Sequence, residues 1–536
     1  MIHKIRGLAL PLVGLIAICF ISLSFLNNAF LWLAVVFSLI TLIGLYDITQ
    51  THHAILRNYP ILGHLRFLLE DIGPEMRQYF VESNTSGTPF NRDQRSLIYQ
   101  RSKDVNDKKP FGTELNLYEP GYTWLAHSLA PTEPMQNASQ TMRITVGGNQ
   151  CNQPYSASIF NISAMSFGSL SANAIRALNQ GAAKGGFAHD TGEGGLSRYH
   201  REPGGDIIWQ VGTAYFGCRT KQGKFDPDQY HEVATLDQVK MIELKLSQGA
   251  KPGHGGVLPG SKVSAEIAQV RGIPVGQDCD SPPGHSAFNT PIGLLQFIEQ
   301  LRSLSGGKPT GFKLCLGNPS EFLAIIKAIL ETKIVPDFIT VDGAEGGTGA
   351  APLEFSDNVG APLIDGLLFV HNALKGAQLR DQIKIAASAK RTSAVAIAEA
   401  MALGADWCNS ARGFMLSMGC IQAQRCHTNA CPVGIATQDH HLQKALDPRL
   451  KSNLVYCYHK NTVESLAELV AAAGFRHPSE LHPCHIWRRI SATEVRTLDQ
   501  LYHFVKKGDL LAGKAEPYLS HLWKIARADQ FDPNCA

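Results

Sequence analysis

The sequence predicts an α/β fold, in which a (β/α)8 TIM barrel follows an N-terminal transmembrane helical hairpin. Eight short apolar runs alternate with segments of helical periodicity, which is typical of parallel strands and their crossover helices. Small and polar residues follow the runs, where a barrel of this kind carries its site. Two long uncharged stretches open the chain. A doubly wound open sheet is the competing architecture.

The composition excludes several classes of protein. The 49 basic residues nearly balance the 46 acidic ones, and the net charge of +3 is small for 536 residues. No nucleic-acid partner is therefore indicated. The 12 cysteines are too sparse for a disulfide scaffold, so we interpret them as thiols in a reducing compartment. A loop-rich enzyme agrees with the 49 glycines and 28 prolines.

The first 48 residues carry the membrane prediction. Residues 8–26 and 29–46 contain no charged side chain, and each approaches the roughly 20 apolar residues that cross a bilayer as a helix. A cleaved signal peptide is the alternative, but no small-residue cleavage site follows. The positive-inside rule places the catalytic body on the cytoplasmic side of the cytoplasmic membrane. The flanking basic residues are Lys4, Arg6, Arg57 and Arg66.

The remainder of the chain divides into three predicted parts. Residues 49–155 are interpreted as a linker and pre-barrel cap, residues 156–440 as the barrel, and residues 441–536 as a C-terminal helical extension. Three segments between the apolar runs have clear helical spacing, namely 170–184, 319–330 and 392–403. The predicted strands are 157–165, 186–191, 207–211, 241–246, 311–316, 337–341, 383–387 and 406–409.

The turns after these strands are where we expect a cofactor. Small residues in 163–168 and 191–195 would let a backbone approach a flat ring, although two tight turns explain them equally well. The seventh and eighth runs end beside Lys390 and Arg412, just before helices whose N–H groups suit a phosphate. The glycine-rich turn 343–349 is a weak signal. No G-x-G-x-x-G motif indicates a bound NAD.

Three cysteines form the strongest motif. Cys420, Cys426 and Cys431 follow a C-x5-C-x4-C spacing, and Pro432 comes directly after the last thiol. Thiolates are the usual ligands of iron–sulfur clusters, and three of them fit a 3Fe-4S cluster. A structural zinc site with His427 as fourth ligand is the alternative. Three unrelated buried thiols are a further interpretation, which so tight a grouping disfavours.

Four motifs together resemble the FMN-binding synthase domain of glutamate synthase. The similarity covers about residues 156–438. It implies a barrel that carries FMN and a 3Fe-4S cluster on the cysteine triad. It also implies reduction of 2-iminoglutarate, formed from 2-oxoglutarate and ammonia, to L-glutamate, with electrons from ferredoxin or a nicotinamide-oxidising subunit. The motifs are T-G-E-G-G at 191–195, E-L-K-L-S-Q-G-A-K-P-G at 243–253, G-G-T-G-A at 346–350, and the segment 418–438 around the triad.

The resemblance assigns roles to individual residues. Glu193 and Lys245 are the implied catalytic pair, in which Glu193 could hold ammonia or the imine nitrogen and Lys245 could stabilise charge on the reduced flavin. Lys251 and Arg271 are the implied substrate-binding residues, because a dicarboxylate favours cationic hydrogen-bond donors. The implied FMN-binding residues are Ala164, Met165, Ser166, Thr191, Gln210, Lys313, Asp342, Gly346, Gly347, Ser388, Lys390, Ser410 and Arg412.

The chain also departs from the family pattern. Val257 stands where a glutamine is usual, residues 282–288 replace a His-His-Asp stretch, and residues 387–390 replace an Asp-Gly-Gly turn at the cofactor phosphate. An electron-transfer or binding component with the same fold and another substrate is therefore the alternative function. Full glutamate synthases begin with a glutaminase domain whose nucleophile is an N-terminal cysteine. This sequence begins with Met1, and apolar stretches follow it. We therefore expect no glutamine hydrolysis here, and we expect ammonia to come from solution or from a partner.

Overall fold

The computed structural model describes residues 8–105, 107–532 and 534, and it divides into two compact units at Arg92. The described strands, numbered along the chain, are β1 (Thr123–Leu125), β2 (Arg143–Val146), β3 (Tyr155–Ser158), β4 (Phe160–Ile162), β5 (His189–Asp190), β6 (Ile207–Val211), β7 (Val239–Lys245), β8 (Val257–Leu258), β9 (Cys279–Asp280), β10 (Thr310–Leu314), β11 (Phe338–Asp342), β12 (Lys384–Ser388), β13 (Trp407–Ser410), β14 (Ile486–Arg489) and β15 (Val495–Thr497).

The first unit begins with two apolar helices that pack against each other. Phe20 on the first stacks on Phe37 of the second, with ring centroids 5.5 Å apart. The second helix and the turn before it, Asn28–Thr49, form 22 residues of mean hydropathy 2.3, long enough to cross a bilayer. The first has only 16 residues. Lys4 and Arg6, used to predict orientation, lie outside the described residues. The helices are Ala9–Ser24, Leu31–Thr49, Ala54–Asn58 and Leu62–Met76, followed by a π-helical turn, Arg77–Val81.

The second unit contains a closed barrel of eight parallel strands in the order β10-β11-β12-β13-β4-β5-β6-β7. The predicted TIM barrel is confirmed, and closure excludes the open sheet. The helices of this unit are Arg92–Ser102, Ala138–Thr141, Ala172–Gly185, Arg198–Arg201, Pro227–Ala234, Ala265–Arg271, Pro291–Leu304, Pro319–Thr332, Leu353–Asn358, Leu363–Gly376, Ala394–Ala402, Arg412–Ser417, His440–Lys444, Pro448–Ala472, Leu498–Leu501 and Pro517–Ile525.

One predicted strand, 157–165, is two strands in the structure. Its beginning belongs to β3, which pairs antiparallel with β2, and its middle forms the barrel strand β4. The β2–β3 hairpin closes the amino-terminal end of the barrel, because Val146, Tyr155 and Ala157 pack into one apolar cluster with side chains of the barrel strands. The barrel therefore opens at the carboxyl ends of its strands.

The C-terminal region contains strands as well as the expected helices. β14 pairs antiparallel with both β1 and β15, which links this region to the segment before the barrel. The long helix Pro448–Ala472 packs against Ala172–Gly185 so closely that a Cβ at Gly181 would lie 2.5 Å from Val455 Cγ1. Residues 441–536 are therefore part of the barrel's outer layer and of a small three-stranded sheet.

Candidate functional site

The predicted site residues lie at the open end of the barrel. Ala164, Met165 and Ser166 follow β4, and Thr191 follows β5, where a Cβ at Gly192 would lie 2.8 Å from the Ser166 backbone nitrogen. The close contact between these two turns explains the small residues in both. Glu193 also follows β5, and Arg271 ends the helix Ala265–Arg271. The remaining predicted residues lie in or directly after β6, β7 and β10 to β13, or in the loops between them.

An inner ring of polar side chains lines the barrel just below its mouth. Glu243 accepts hydrogen bonds from Gln210 Nε2 at 2.6 Å and from Thr340 Oγ1 at 2.6 Å. Lys313 Nζ lies 3.4 Å from Asp342 Oδ2. All are buried, and so is Asp190. Sequence reasoning identified Gln210, Lys313 and Asp342 but missed the other three.

The charges in this ring are balanced around one lysine. Burial acts to lower the pKa of Lys313, but the carboxylates of Asp342, Glu243 and Asp190 outweigh it and raise that pKa. Burial and the neighbouring Glu243 raise the pKa of Asp190 well above its usual value. The ring therefore holds Lys313 firmly as a cation, whereas burial favours the protonated form of Asp190.

A second set of side chains lies above the ring and contains the predicted catalytic pair. Lys245 Nζ donates a hydrogen bond to Glu193 Oε1 at 2.6 Å. Burial would raise the pKa of Glu193, but the cations of Lys245, Arg271 and Lys251 outweigh burial and lower it. Glu193 is therefore ionised at neutral pH.

Two glycines leave the space that Glu193 occupies. A Cβ at Gly212 would lie 2.6 Å from Glu193 Cβ, and a Cβ at Gly256 would collide with Glu193 Oε1. Gly256 precedes Val257 on β8, which pairs with β9 through the register Val257 to Asp280. The β8–β9 hairpin thus begins directly beside the Glu193 carboxylate, and it contains Val257, the residue that we expect to depart from the family pattern.

The two predicted substrate-binding cations differ in their contacts. Arg271 donates to Ser166 Oγ and to the Phe167 carbonyl, at 3.3 and 3.2 Å. Lys251 is only 1% exposed, yet within the described part of the chain its ammonium makes no hydrogen bond or ion pair. Burial lowers the pKa of Lys251 to about 8. A buried cation in this state favours an anionic ligand.

A third set of residues surrounds the turn after β12. Ala389 and Lys390 both have positive φ angles, of 148° and 45°, which glycine adopts more readily than other residues. Successive turn residues of this kind can direct backbone N–H groups toward an anion. Burial and the nearby Arg412 lower the pKa of Lys390. A Cβ at Gly347 would lie 2.8 Å from the Arg412 guanidinium. The turn, its two cations and this glycine fit a phosphate group.

The cysteine loop is attached to the turn that follows β4. Gln438 Nε2 donates to the carbonyls of Gly168 and Leu170, at 3.1 and 2.9 Å. The buried Lys262 Nζ donates to the carbonyls of Ser169 and Cys426, at 2.9 and 3.0 Å. This turn also contacts Arg271, so the cysteine loop and the mouth share one structural segment. Lys262 and Gln438 were not predicted.

The three thiols are near enough to influence one another. Burial, together with the neighbouring Cys426 and Cys431, raises the pKa of Cys420 to about 11. Within the described residues, however, no three His, Cys, Asp or Glu side chains converge as ligands of one metal ion. The 3Fe-4S cluster on the three cysteines and the zinc site with His427 both stay predictions.

Two further residues near the site were not found from the sequence. His285 Nε2 lies 2.8 Å from the Lys245 carbonyl, and the Tyr99 hydroxyl donates to the Cys420 carbonyl at 2.6 Å. Both partners are far away in sequence, and no local motif marks either residue. They support the backbone on which the predicted residues stand.

A closed parallel barrel with charged side chains and small-residue turns at the carboxyl ends of its strands defines an α/β-barrel protein, a class whose functional site lies at that end. A family model described as "Conserved region in glutamate synthase" matches residues 131–476. The glutamate synthase large subunit-like protein YerD of Bacillus subtilis (strain 168) is 38% identical over 85% of this chain and 94% of its own length. The chain therefore belongs to the glutamate synthase family.

Other relatives match only in part. The archaeal glutamate synthase [NADPH] of Methanocaldococcus jannaschii is 35% identical over 58% of each chain. The glutamate synthase [NADPH] large chain of Bacillus subtilis (strain 168) is 32% identical over 60% of this chain, which spans only 20% of that protein. A flavocytochrome b2 variant with sulfite bound aligns over 85% of this chain and 91% of its own, with a TM-score of 0.42 and 11% identity, too distant a likeness to bear on function.

Proposed function

We propose that this protein is an FMN-dependent oxidoreductase that reductively aminates a 2-oxo acid, with 2-oxoglutarate and L-glutamate as the expected pair. Family membership supports the reaction class. The observation that carries the proposal is the side chain of Lys251, which is 1% exposed and close enough to Glu193 to act on its charge, but has no hydrogen-bond partner within the described residues. A carboxylate of the substrate would provide that partner.

The pocket residues account for the binding steps. Lys251 and Arg271 would hold the carboxylates of the oxo acid by charge-assisted hydrogen bonds. The ionised Glu193 would accept an N–H of ammonia or of the iminium nitrogen. Condensation of the oxo acid with ammonia releases water, and addition of two electrons and two protons converts the imine to the amino acid. Lys245, hydrogen-bonded to Glu193, is positioned to supply or relay a proton.

The residues of the mouth fit FMN. The turn at Ala389 and Lys390, together with Arg412, would hold the phosphate, and the turns after β4 and β5 would lie along the flat ring. When bound, FMN supplies a hydride to the imine and accepts electrons one at a time. Lys313 and Lys245 would place positive charge near the ring system.

The cysteine triad is the proposed entry point for electrons. Cys420, Cys426 and Cys431 would ligate a 3Fe-4S cluster, for which thiolates are the usual ligands. Burial raises the pKa of the Cys420 and Cys426 thiols, so these two ionise readily only beside a metal ion. The donor is then an external protein, either ferredoxin or a nicotinamide-oxidising subunit. Its electrons would enter close to the turn that also contacts Arg271.

We also propose that the apolar hairpin anchors the barrel at the cytoplasmic face of the cytoplasmic membrane. The helix Leu31–Thr49 with its preceding turn is long enough to span a bilayer, and only 11% of its most apolar 18 residues are buried. Arg57 and Arg66 follow it, as the positive-inside rule requires on that side. The shorter first helix would cross with local thinning of the bilayer.

One preparation tests the main proposal. The purified full-length protein should show flavin absorption, contain about three irons per chain, and form glutamate from 2-oxoglutarate and ammonia when reduced. Colourless protein with stoichiometric zinc would overturn it. The Lys251→Met variant should keep its flavin and iron but bind the oxo acid poorly.

A second function, electron transfer or binding with another substrate, is favoured by Val257, which directly follows Gly256, the residue packed against Glu193. Glu193→Gln separates the two functions: an electron carrier would keep its turnover with a partner, whereas an aminating enzyme would lose product formation.

A further inference from the structure

The helix Leu62–Met76, outside the barrel unit, exposes a stripe of large apolar side chains. Leu62, Leu65, Leu69, Ile72 and Met76 recur at intervals of three and four residues, so they occupy one helical face. Their exposed fractions range from 39% for Ile72 to 57% for Leu65. Such a face is stable in water only when something covers it.

The stripe continues past the end of this helix. Tyr79 and Phe80 lie in the adjoining π-helical turn, and they are 57% and 78% exposed. Aromatic residues at the end of an apolar face are typical of the boundary between lipid and water.

The amphipathic helix is fixed to the end of the apolar hairpin. Asp47, fully buried near the end of the helix Leu31–Thr49, accepts hydrogen bonds from Ile61 N and His64 Nε2, both at 2.9 Å. A Cβ at Gly44 would lie 2.9 Å from Ile61 Cγ1, so the chain returns closely against the hairpin. The exposed stripe therefore begins where the apolar surface of the hairpin ends.

The charge of this segment identifies the type of contact. Residues 62–81 contain two basic side chains, Arg66 and Arg77, and three acidic ones, Glu70, Asp71 and Glu75, for a net charge of 2 − 3 = −1. A segment that binds anionic headgroups electrostatically carries a cluster of basic residues. This one instead offers an apolar face.

We propose that residues 62–81 lie in the plane of the membrane interface, with the stripe inserted about 5–10 Å into the boundary between headgroups and acyl chains. This inference rests on the proposed membrane hairpin, because continuity with it selects lipid over a second copy of the chain as the occupant. The in-plane helix would fix the direction in which the chain leaves the bilayer surface, which a spanning hairpin alone does not do. Because insertion is apolar, it requires neither anionic lipid nor low salt.

Tryptophan fluorescence in the full-length chain tests this arrangement. The protein is reconstituted in phosphatidylcholine vesicles whose acyl chains carry bromine, a quencher, either near the headgroup or near the methyl end. Leu69→Trp places a reporter on the stripe, and Asp71→Trp is the matched control on the opposite face. Trp32, in the helix Leu31–Thr49, reports on the hairpin through the difference between wild type and Trp32→Phe.

We expect the emission added at position 69 to lose most of its intensity with bromine near the headgroup, and little at position 71. Equal quenching in high salt would agree with apolar insertion, and a requirement for anionic lipid would overturn it. Quenching of Trp32 without quenching at position 69 would reject the in-plane helix and keep the hairpin. Absence of both would reject the hairpin as well. Blue-shifted but unquenched emission at position 69 would indicate a second copy, and Leu65→Trp repeats the test if the first variant does not fold.

Discussion

Two buried lysines at the barrel mouth differ in the side chains that surround their charges. Lys313 faces Asp342, Glu243 and Asp190, and these carboxylates raise its pKa. Lys251 has no hydrogen-bond partner within the described part of the chain, and burial lowers its pKa to about 8. A matched charge stabilises the fold around it, whereas an unmatched one costs stability until a ligand arrives. The comparison predicts that substitution of Lys313 lowers the stability of the fold, whereas substitution of Lys251 weakens ligand binding.

The largest expected effect comes from removal of the matched charge. Lys313→Met leaves Asp342, Glu243 and Asp190 without a cation in a buried ring, and we expect the free energy of unfolding to fall by about 3–5 kcal/mol. Denaturant unfolding of the flavin-free protein measures it. Lys221→Met, at an exposed loop position, is the control and should change stability by less than about 0.5 kcal/mol. A Lys313→Met variant as stable as the wild type would show that Lys313 does not stabilise the fold, which contradicts the comparison with Lys251.

Removal of the Lys251 charge should weaken binding of the oxo acid and leave stability unchanged. Lys251→Met deletes one charge-assisted hydrogen bond to the oxo acid, which is worth about 1.5–3 kcal/mol, so KM for the acid should rise about 10–100-fold. Stability should not fall, since the variant replaces a buried charge with an apolar side chain. Lys251→Arg keeps the charge and should recover part of the affinity. An unchanged KM in Lys251→Met would contradict the assignment.

The pH dependence of binding distinguishes the two lysines without mutation of the ring. Because burial lowers the pKa of Lys251 to about 8, its charge is present below that pH and is lost as the pH rises through it. We expect affinity for the oxo acid, measured by titration of the flavin spectrum, to weaken above about pH 8. In Lys251→Arg the same titration should be flat. A wild-type affinity that is constant to about pH 10, the ordinary range of a lysine, would assign the anion to another group.

A smaller effect is expected at the phosphate-type turn. Lys390→Gly removes one cation and one strained residue, and a partly exposed charge contributes about 1 kcal/mol, so the Kd for FMN should rise roughly fivefold. The affinity for riboflavin, which lacks the phosphate, should not change. Equal losses for both flavins would indicate that the side chain acts on the ring system rather than on the phosphate.

The smallest expected effect is an increase in stability on substitution of Ala389. Ala389 has a φ of 148°, a conformation that glycine adopts without strain. Ala389→Gly should therefore raise the free energy of unfolding by about 1 kcal/mol. Ala387→Gly, in the regular strand β12, is the control and should lower it. Loss of stability in both variants would show that the turn is unstrained.

Most of the barrel could be predicted because its strands are short and almost wholly apolar. The run 207–211 was predicted with its observed bounds, since polar turns delimit it on both sides. The run 157–165 was merged because β3 and β4 are separated by a single residue, Ile159, which is itself apolar. Hydrophobicity marks what is buried, but it does not distinguish a strand of the barrel from one that closes its end.

One residue of the inner ring, Glu243, belongs to no predicted site but could have been found from the alternation of side chains along β7. In β7, Met241, Glu243 and Lys245 share one face by the two-residue period of a strand, so the resemblance that singled out Lys245 also pointed Glu243 into the barrel. Asp190 and Thr340 carry no such signal. The pairing of Lys245 with Glu193, 52 positions away, depends on barrel closure and could not be derived from spacing.

The apolar closure of the amino-terminal end has a consequence for proton supply. Tyr155, Phe338 and Trp407 belong to one buried apolar cluster at that end of the barrel. A ligand seated in the mouth would cover the ring from the opposite end and so reduce the contact of Asp190 and Glu243 with solvent. A proton gained by the proposed substrate would then come from side chains above the ring, where Lys245 is hydrogen-bonded to Glu193.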